Sequence, residues 1–387
     1  MDKILTFNGK IATRGSRWIT KTVPTPDPLN PLNLPAKTIR IKFADGFTPS
    51  FSATYGSAVQ VSSSPNVWDI TYDYNGAGSW YNLAATVCGS NDRDNLQEVL
   101  GANGTGIISM RDMFRSCSNL TSVPLFDTSS ATSLSYMFSG CLSLTSIPLF
   151  DTTSATSLSY MFSSCYGLTS VPLFDTSSAT LLNSMFRDCT ALTSIPLLDT
   201  SSATSLSYMF SGCSSLTSIP LLDTSSATNL GAMFSFCSNL TTVPLLDTSS
   251  ATDMSEMFDR CSNLTTVPLF DTSSATNLSA MFRGCSSLTS VPLFDTSSAT
   301  HLDAMFSVCS SLTSVPLFDT GSAVSMGYMF YWCINVEYGA LALYQQASTQ
   351  AVPPLSHSAC FERCGENSVT GSQEVAQIPA SWGGTGA

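Results

Sequence analysis

The chain has 387 residues, only 11% of them charged, and a net charge of −12. An acidic body offers no basic groove to neutralise phosphates, which speaks against a nucleic-acid partner. No apolar run approaches the roughly 20 residues that cross a bilayer, which speaks against membrane insertion.

The charge is unevenly placed. Eight Lys and Arg against Asp2 and Asp27 give the first 42 residues +6 and leave −18 for the rest. Residues 1–22 hold short strand-like runs (KILTF, KIAT, WITKTV) around a turn at Asn8-Gly9 and form a basic attachment segment. Its candidate anchoring residues, by which it would dock on an acidic partner, are Lys3, Lys10, Arg14, Arg17, Trp18 and Lys21. The start lacks the run of about 7–15 apolar residues of a secretion signal, so the usual export route is not expected. Residues 23–36 carry Pro24, Pro26, Pro28, Pro31 and Pro35, the spacing of a semi-rigid polyproline II spacer. Residues 37–95, with TIRIKF, VQVSSS and WDITYDY between Gly/Ser/Asn clusters, read as a small β-rich domain.

A 24-residue repeat then takes over, in register from Cys117 to Cys333. Its fixed words are Met-Phe-x-x-Cys, x-x-Leu-Thr-(Ser/Thr)-(Val/Ile)-Pro-Leu-(Phe/Leu)-Asp-Thr, and a Ser/Thr-rich stretch. A period of 20–50 residues marks a solenoid, in which each unit buries its apolar face only against its neighbours. Leu96-Gln97-Glu98-Val99 aligns with Leu120-Thr121-Ser122-Val123 as a degenerate first unit, so the solenoid is set at 96–335 and a capping region at 336–387. Phe361-Glu362-Arg363-Cys364 restates the motif after an insertion around GALALYQQAS that reads as a helix.

Within one unit, Leu144-Thr145-Ser146-Ile147 reads as a short strand, Asp151-Thr152-Thr153-Ser154 as a turn, and Leu158, Met161, Phe162 and Cys165 as the stripe of a short helix or 3₁₀ turn. Leu144, Ile147, Leu149, Leu158, Met161, Phe162 and Cys165 would fill the core. The expected fold class is therefore α/β: a leucine-rich-repeat solenoid of about eleven turns with a small N-terminal β-rich unit and a C-terminal cap. The repeated cysteines read as a buried column of free thiols.

Catalytic chemistry is missing from the pattern. His301 and His357 have no nucleophile or acid repeated beside them, and no phosphate-binding, dinucleotide or zinc-protease motif occurs, so no enzyme, cofactor or metal is expected. The aspartate column from Asp127 to Asp319 would be held by amides of the following turn rather than by calcium, which needs more oxygen ligands than one carboxylate per rung supplies.

The residues around Met-Phe-x-x-Cys vary from unit to unit while the rest hardly changes. Aromatics and arginines are enriched where proteins bind partners or sugars. The candidate ligand-contact surface is accordingly Tyr136, Tyr160, Tyr208, Phe236, Arg187, Arg260, Arg283, Tyr328, Tyr331 and Trp332.

The spacing Phe-x-x-Cys-x-x-Leu-x-x-(Val/Ile)-Pro over residues 96–364 resembles the BspA-like leucine-rich repeats of bacterial surface proteins. Its Asp-Thr-Ser…Met-Phe-x-x-Cys form is similar to repeats of mycoplasma and gut-bacterial surface proteins and of fibre-like proteins of gut phages. The resemblance implies a non-enzymatic structural or adhesion protein. The expectation is a phage virion fibre or appendage, built in the host cytoplasm, attached to other virion proteins by its N-terminus and touching host glycan or protein through the solenoid. The alternative is a bacterial cell-surface adhesin. A homo-oligomeric stem is compatible with a fibre, although 1–22 is too short to display a heptad.

Overall fold

A computed structural model describes residues 38–47, 56–63, 65–72 and 93–386, with short pieces at 6–7, 10–11, 32 and 34–35. Lys3, Arg14, Arg17, Trp18, Lys21 and the side chain of Lys10 lie outside the described residues, as does nearly all of 12–37. At the start, β1 (Thr6–Phe7) pairs antiparallel with β2 (Lys10–Ile11). A second, four-stranded antiparallel sheet contains β3 (Thr38–Phe43), β4 (Gly56–Ser63), β5 (Asn66–Tyr72) and β6 (Leu96–Ala102), in the order β4-β5-β3-β6.

Alternation explains the second sheet. Ile39, Ile41 and Phe43 are buried, while Arg40 and Lys42 on the opposite face meet their cross-strand neighbours Asp69 (2.6 Å) and Glu98 (3.3 Å). Strand β6 has two roles. It is the edge strand of the sheet, and on its other side Glu98 bridges in parallel to Ser122 of the next rung. Its Leu96 and Val99 belong to one apolar cluster that continues through the whole solenoid. The sheet therefore closes the N-terminal end of the stack, where an open rung would otherwise face water.

Each rung has two unlike halves. Around Met-Phe-x-x-Cys the chain is a succession of β-turns. Met137, Ser139 and Cys141 donate their N–H groups three residues back, to Leu134, Tyr136 and Phe138 (3.0–3.2 Å). The alternate amides, Leu134, Tyr136, Phe138 and Gly140, donate to Ser157, Ser159, Met161 and Ser163 of the following rung (2.8–3.0 Å). Four columns of stacked peptide groups thus run along the solenoid, all with N–H toward the C-terminal end. The geometry requires a positive φ immediately before the Met and before the Cys: Tyr136 stands at 60° and Gly140 at 77°. A positive φ at the third residue is the signature of a type II turn, whose central peptide is rotated out of the chain direction and so faces the neighbouring rung.

This corrects the expected helix. Left-handed residues at every fourth position break a helical run, and among the described residues the repeats contain turns and isolated parallel bridges only. Left-handed conformation costs a non-glycine residue about 1–2 kcal/mol. Two such residues per rung are offset by four inter-rung bonds at about 0.5–1.5 kcal/mol each, together with the packing below them.

That packing is a phenylalanine stack. Phe114, Phe138, Phe162 and their equivalents to Phe330 and Phe361 lie with ring centroids 5.3–6.0 Å apart, nearly parallel and offset. Met, Leu and Cys columns flank it, all wholly buried. The twelve described cysteines are free, and each ladder thiol from Cys141 to Cys333 donates to a phenylalanine carbonyl of the preceding rung, as Cys213 does to Phe186 (3.2 Å). Burial pushes the thiols of Cys117, Cys165, Cys237 and Cys333 up to about 12.

The other half, Val/Ile-Pro-Leu-Phe-Asp, is extended but does not form a ladder. Pro148 has no N–H, and the amide of Phe150 folds back to Pro148 (3.0 Å). That tight turn sends Phe150 into the core and Leu149 outward. Leu149 is 58% exposed, and Leu173, Leu197, Leu221, Leu245, Leu269, Leu293 and Leu317 stand between 54% and 62%. The expectation that Leu149 fills the core is corrected: Phe150 takes that place. Buried Thr128 ties this half to the next rung by donating its Oγ1 to the Asp151 carbonyl (2.8 Å), a bond repeated at each rung to Thr296.

At the far end α1 (Ala340–Thr349) follows Gly339, whose φ is 100°, and α2 (Val369–Val375) is capped by the Ser368 hydroxyl. Any Cβ at Gly339 would fall 2.2 Å from the Val315 carbonyl, so this glycine lets the helix seat directly on the last extended segment. No helix among the described residues is long and apolar enough to cross a membrane.

Candidate ligand-contact surface

The turn half carries two columns of left-handed residues, one before each Cys that is exposed or half-buried throughout, and one before each Met in which Asp112, Ser184, Ala232 and Ala280 are buried. Seven of the ten sequence-derived candidates stand in them: Tyr136, Tyr160, Tyr208 and Tyr328 before Met, and Phe236, Arg260 and Trp332 before Cys. Non-glycine residues take positive φ uncommonly, and large ones least of all. Gly140, Gly212 and Gly284 occupy the Cys-side column without that strain. A bulky side chain there is a local sacrifice of stability, the kind found at functional sites.

The structure sorts the candidates into three groups. Near the N-terminal end the rings of Tyr136 and Tyr160 stack at 4.5 Å, and the guanidiniums of Arg111 and Arg115 lie over Tyr136. Near the C-terminal end Tyr328 packs edge-on against Tyr331, and Arg363 covers Trp332 at 3.7 Å. Arg363 was read in the sequence as part of the capping unit Phe361-Glu362-Arg363-Cys364 and not as a contact residue, because that unit falls outside the 24-residue spacing. In these two groups arginines cover Tyr136 and Trp332, while Tyr328 stays half exposed. Arg283 leaves the candidate surface for another role: it forks onto the wholly buried Asp259 through two bonds of 2.7 and 2.8 Å. Asp259 raises the Arg283 pKa further above its ordinary value, chiefly by that hydrogen bond.

The middle group forms a concavity of about 650 Å³ lined by Arg187, Asp188, Ser211, Gly212, Phe236 and Arg260, among others. Its cause lies in the Cys-side column, which reads Asp188, Gly212, Phe236, Arg260, Gly284 in rung order. Gly212 has no side chain, and the shallow slot left there is closed on one side by the Asp188 carboxylate, which leans into the place a Gly212 Cβ would take. The Arg260 guanidinium lies 4.8 Å from the centroid of the Phe236 ring, which is partly exposed and lines the slot. Arg187 lies 3.4 Å from Asp188 and over the Tyr208 ring at 5.4 Å. Arg260 makes no ion pair among the described residues.

A carboxylate, two guanidinium groups, serine hydroxyls and an aromatic ring thus line one concavity.

Other polar features are structural. Asp127 Oδ1 accepts from the Ser129 amide (3.0 Å) and hydroxyl (2.7 Å), and the same turn recurs along the aspartate column. His357 stacks on Trp382 at 4.1 Å, and Cys360 and Cys364 are buried. Among the described residues no three His, Cys, Asp or Glu side chains are grouped to hold a metal ion.

The family described as "Mycoplasma protein of unknown function, DUF285" matches residues 87–195, 146–243, 168–266 and 228–341, together well over half the chain. A solved leucine-rich repeat protein from Eubacterium ventriosum is similar at 19% identity with a TM-score of 0.43, covering 76% of this chain and 88% of that one. No curated protein matches. This repeat protein belongs to the family described as Mycoplasma protein of unknown function, DUF285.

Proposed function

We propose that the chain is a non-enzymatic structural and adhesion protein, a rod of about eleven repeat turns that contacts glycan or protein on a host surface. The observation that carries this reading is the Gly212 slot, where Phe236 and Arg260 hold left-handed backbone that glycine occupies in the adjoining rungs, at Gly212 and Gly284. The rod serves as a fibre or appendage of a phage of gut bacteria, with the basic segment 1–22 joining it to the particle. A cell-surface adhesin is the second reading, favoured by the bacterial family the chain belongs to.

The test has two arms. The purified chain and a Phe236→Ala/Arg260→Ala variant are applied to immobilised bacterial surface glycans and to intact gut-bacterial cells. Binding by the parent and at least tenfold weaker binding by the variant are expected; equal binding removes the slot from the contact surface. In the second arm, mass spectrometry of purified particles should find the chain at stoichiometric copy number. Its recovery from a cell-envelope fraction instead assigns it to the adhesin.

A further inference from the structure

The eight outward leucines from Leu149 to Leu317 have no partner in this fold. They sit at one position of successive rungs, so their side chains form a continuous apolar row, bordered by half-buried Val/Ile and Pro rows. Monomeric proteins rarely leave so long an apolar patch in water. At roughly 100 Å² each the leucines offer about 800 Å² per copy, the share each partner contributes to a standard-sized interface.

We propose that this row packs on the same row of a second copy, the two rods side by side and pointing the same way. Pitch selects the partner. Any occupant must match a spacing of about 5 Å over eight rungs, and an identical solenoid does so at every rung. A two-fold axis makes such a contact self-complementary.

Charge selects the direction. Across the face the order is the exposed Thr145-Ser146 row, then the leucine row, then the exposed Asp151 row, repeated along the rod. If the rods point in opposite directions, each aspartate row faces the other aspartate row, and like charges oppose at every rung. If they point the same way, each aspartate row faces the partner's Thr-Ser row. There the carboxylates have a use for donors: the turn bonds of Asp151, Asp175 and Asp199 engage Oδ1, leaving Oδ2 for an incoming hydroxyl. Same-way pairing also sets like ends of the peptide columns together. Solvent and salt weaken that repulsion at exposed ends, while the carboxylate clash recurs along the whole contact.

Pairing of this kind places the two Gly212 slots at one height, facing away from each other on opposite flanks of the pair.

The test uses the full chain. Analytical ultracentrifugation across about 1–100 µM should give a dimer. Leu221→Lys/Leu245→Lys, changing two exposed side chains, should give a monomer with an unchanged circular-dichroism spectrum. Direction is read by crosslinking in a Cys88→Ser background: Leu149→Cys should form covalent dimers with itself, and the twelve described native thiols are buried and do not compete. A monomeric parent, a trimer, or a dimer indifferent to the two lysines overturns the proposal. So does a parent that stays monomeric but sediments with lipid vesicles, which would assign the row to a bilayer. Crosslinks that appear only when Leu149→Cys is mixed with Leu317→Cys overturn the direction.

Discussion

The two halves of each rung hold to their neighbours by different means. In the turn half the backbone does the joining through four peptide columns, and the left-handed residues differ from rung to rung: Asp, Tyr, Ser, Ala or Glu before Met, and Ser, Gly, Asp, Phe, Arg, Val or Trp before Cys. In the extended half proline removes a donor, inter-rung backbone bonds become sparse, and side chains must do the joining. There the sequence is nearly constant. Variability in this chain therefore follows from which chemical group carries the contact: where the main chain bonds, the side chain is released for other uses.

Removing a side chain from the extended half tests that contrast most severely. Phe270→Ala empties a buried site whose ring stacks on Phe258 at 5.7 Å and Phe294 at 6.5 Å. A loss of about 3–5 kcal/mol in urea unfolding is expected, with the single transition splitting as the rods on either side uncouple. A loss below about 1 kcal/mol would mean that the extended half does not depend on its side chains.

The turn half should respond in the opposite direction. Val308 is β-branched, 39% exposed and held at φ 63°. Val308→Gly should raise stability by about 0.5 kcal/mol, because relief of backbone strain exceeds the added freedom of the unfolded chain. A lower urea midpoint would show that this side chain supports the fold after all.

Acidity has the smallest effect per site. Hydroxyl and amide donors of Ser177, Ser225, Ser273 and Ser297 hold the carboxyls of Asp175, Asp223, Asp271 and Asp295 below their ordinary range. Folding lowers these pKa values, so the contribution is fully present above the ordinary value of about 3.9 and is lost as pH falls through the folded values. Melting temperature should be insensitive to these groups between pH 7 and 5 and decline below about pH 4. Replacing the four serines by alanine should flatten that decline; an unchanged slope would place the acid sensitivity elsewhere.

Register was the most legible property in the sequence, because a fixed period needs no knowledge of the backbone. The Phe, Met and Cys columns followed from it directly. The helix expected at Leu158, Met161, Phe162 and Cys165 failed for a physical reason: spacings of three and four fit turns bonded three residues back as well as a helix. Only left-handed residues separate the two, and Tyr160 or Phe236 gives no sign of adopting that conformation. Leu149 was misplaced because Leu and Phe in Leu149-Phe150 are equally apolar, and the tight turn at Pro148 decides which one enters. The slot was half visible. Its arginines and aromatic ring stood out, but the glycine that creates it appears only when the rungs are read as a column.

That column reading gives the repeats a further meaning. Residues 129–141 and 201–213 are identical, SSATSLSYMFSGC, and each ends with glycine before cysteine. Gly140 is flanked by Ser116 and Ser164, and Gly212 by Asp188 and Phe236. One word therefore makes two different places, according to the words beside it. Recombination between near-identical repeats in the gene would shuffle whole rungs while leaving the closing sheet and cap untouched. It would change the length of the rod and compose new surfaces by juxtaposition, without a single new residue.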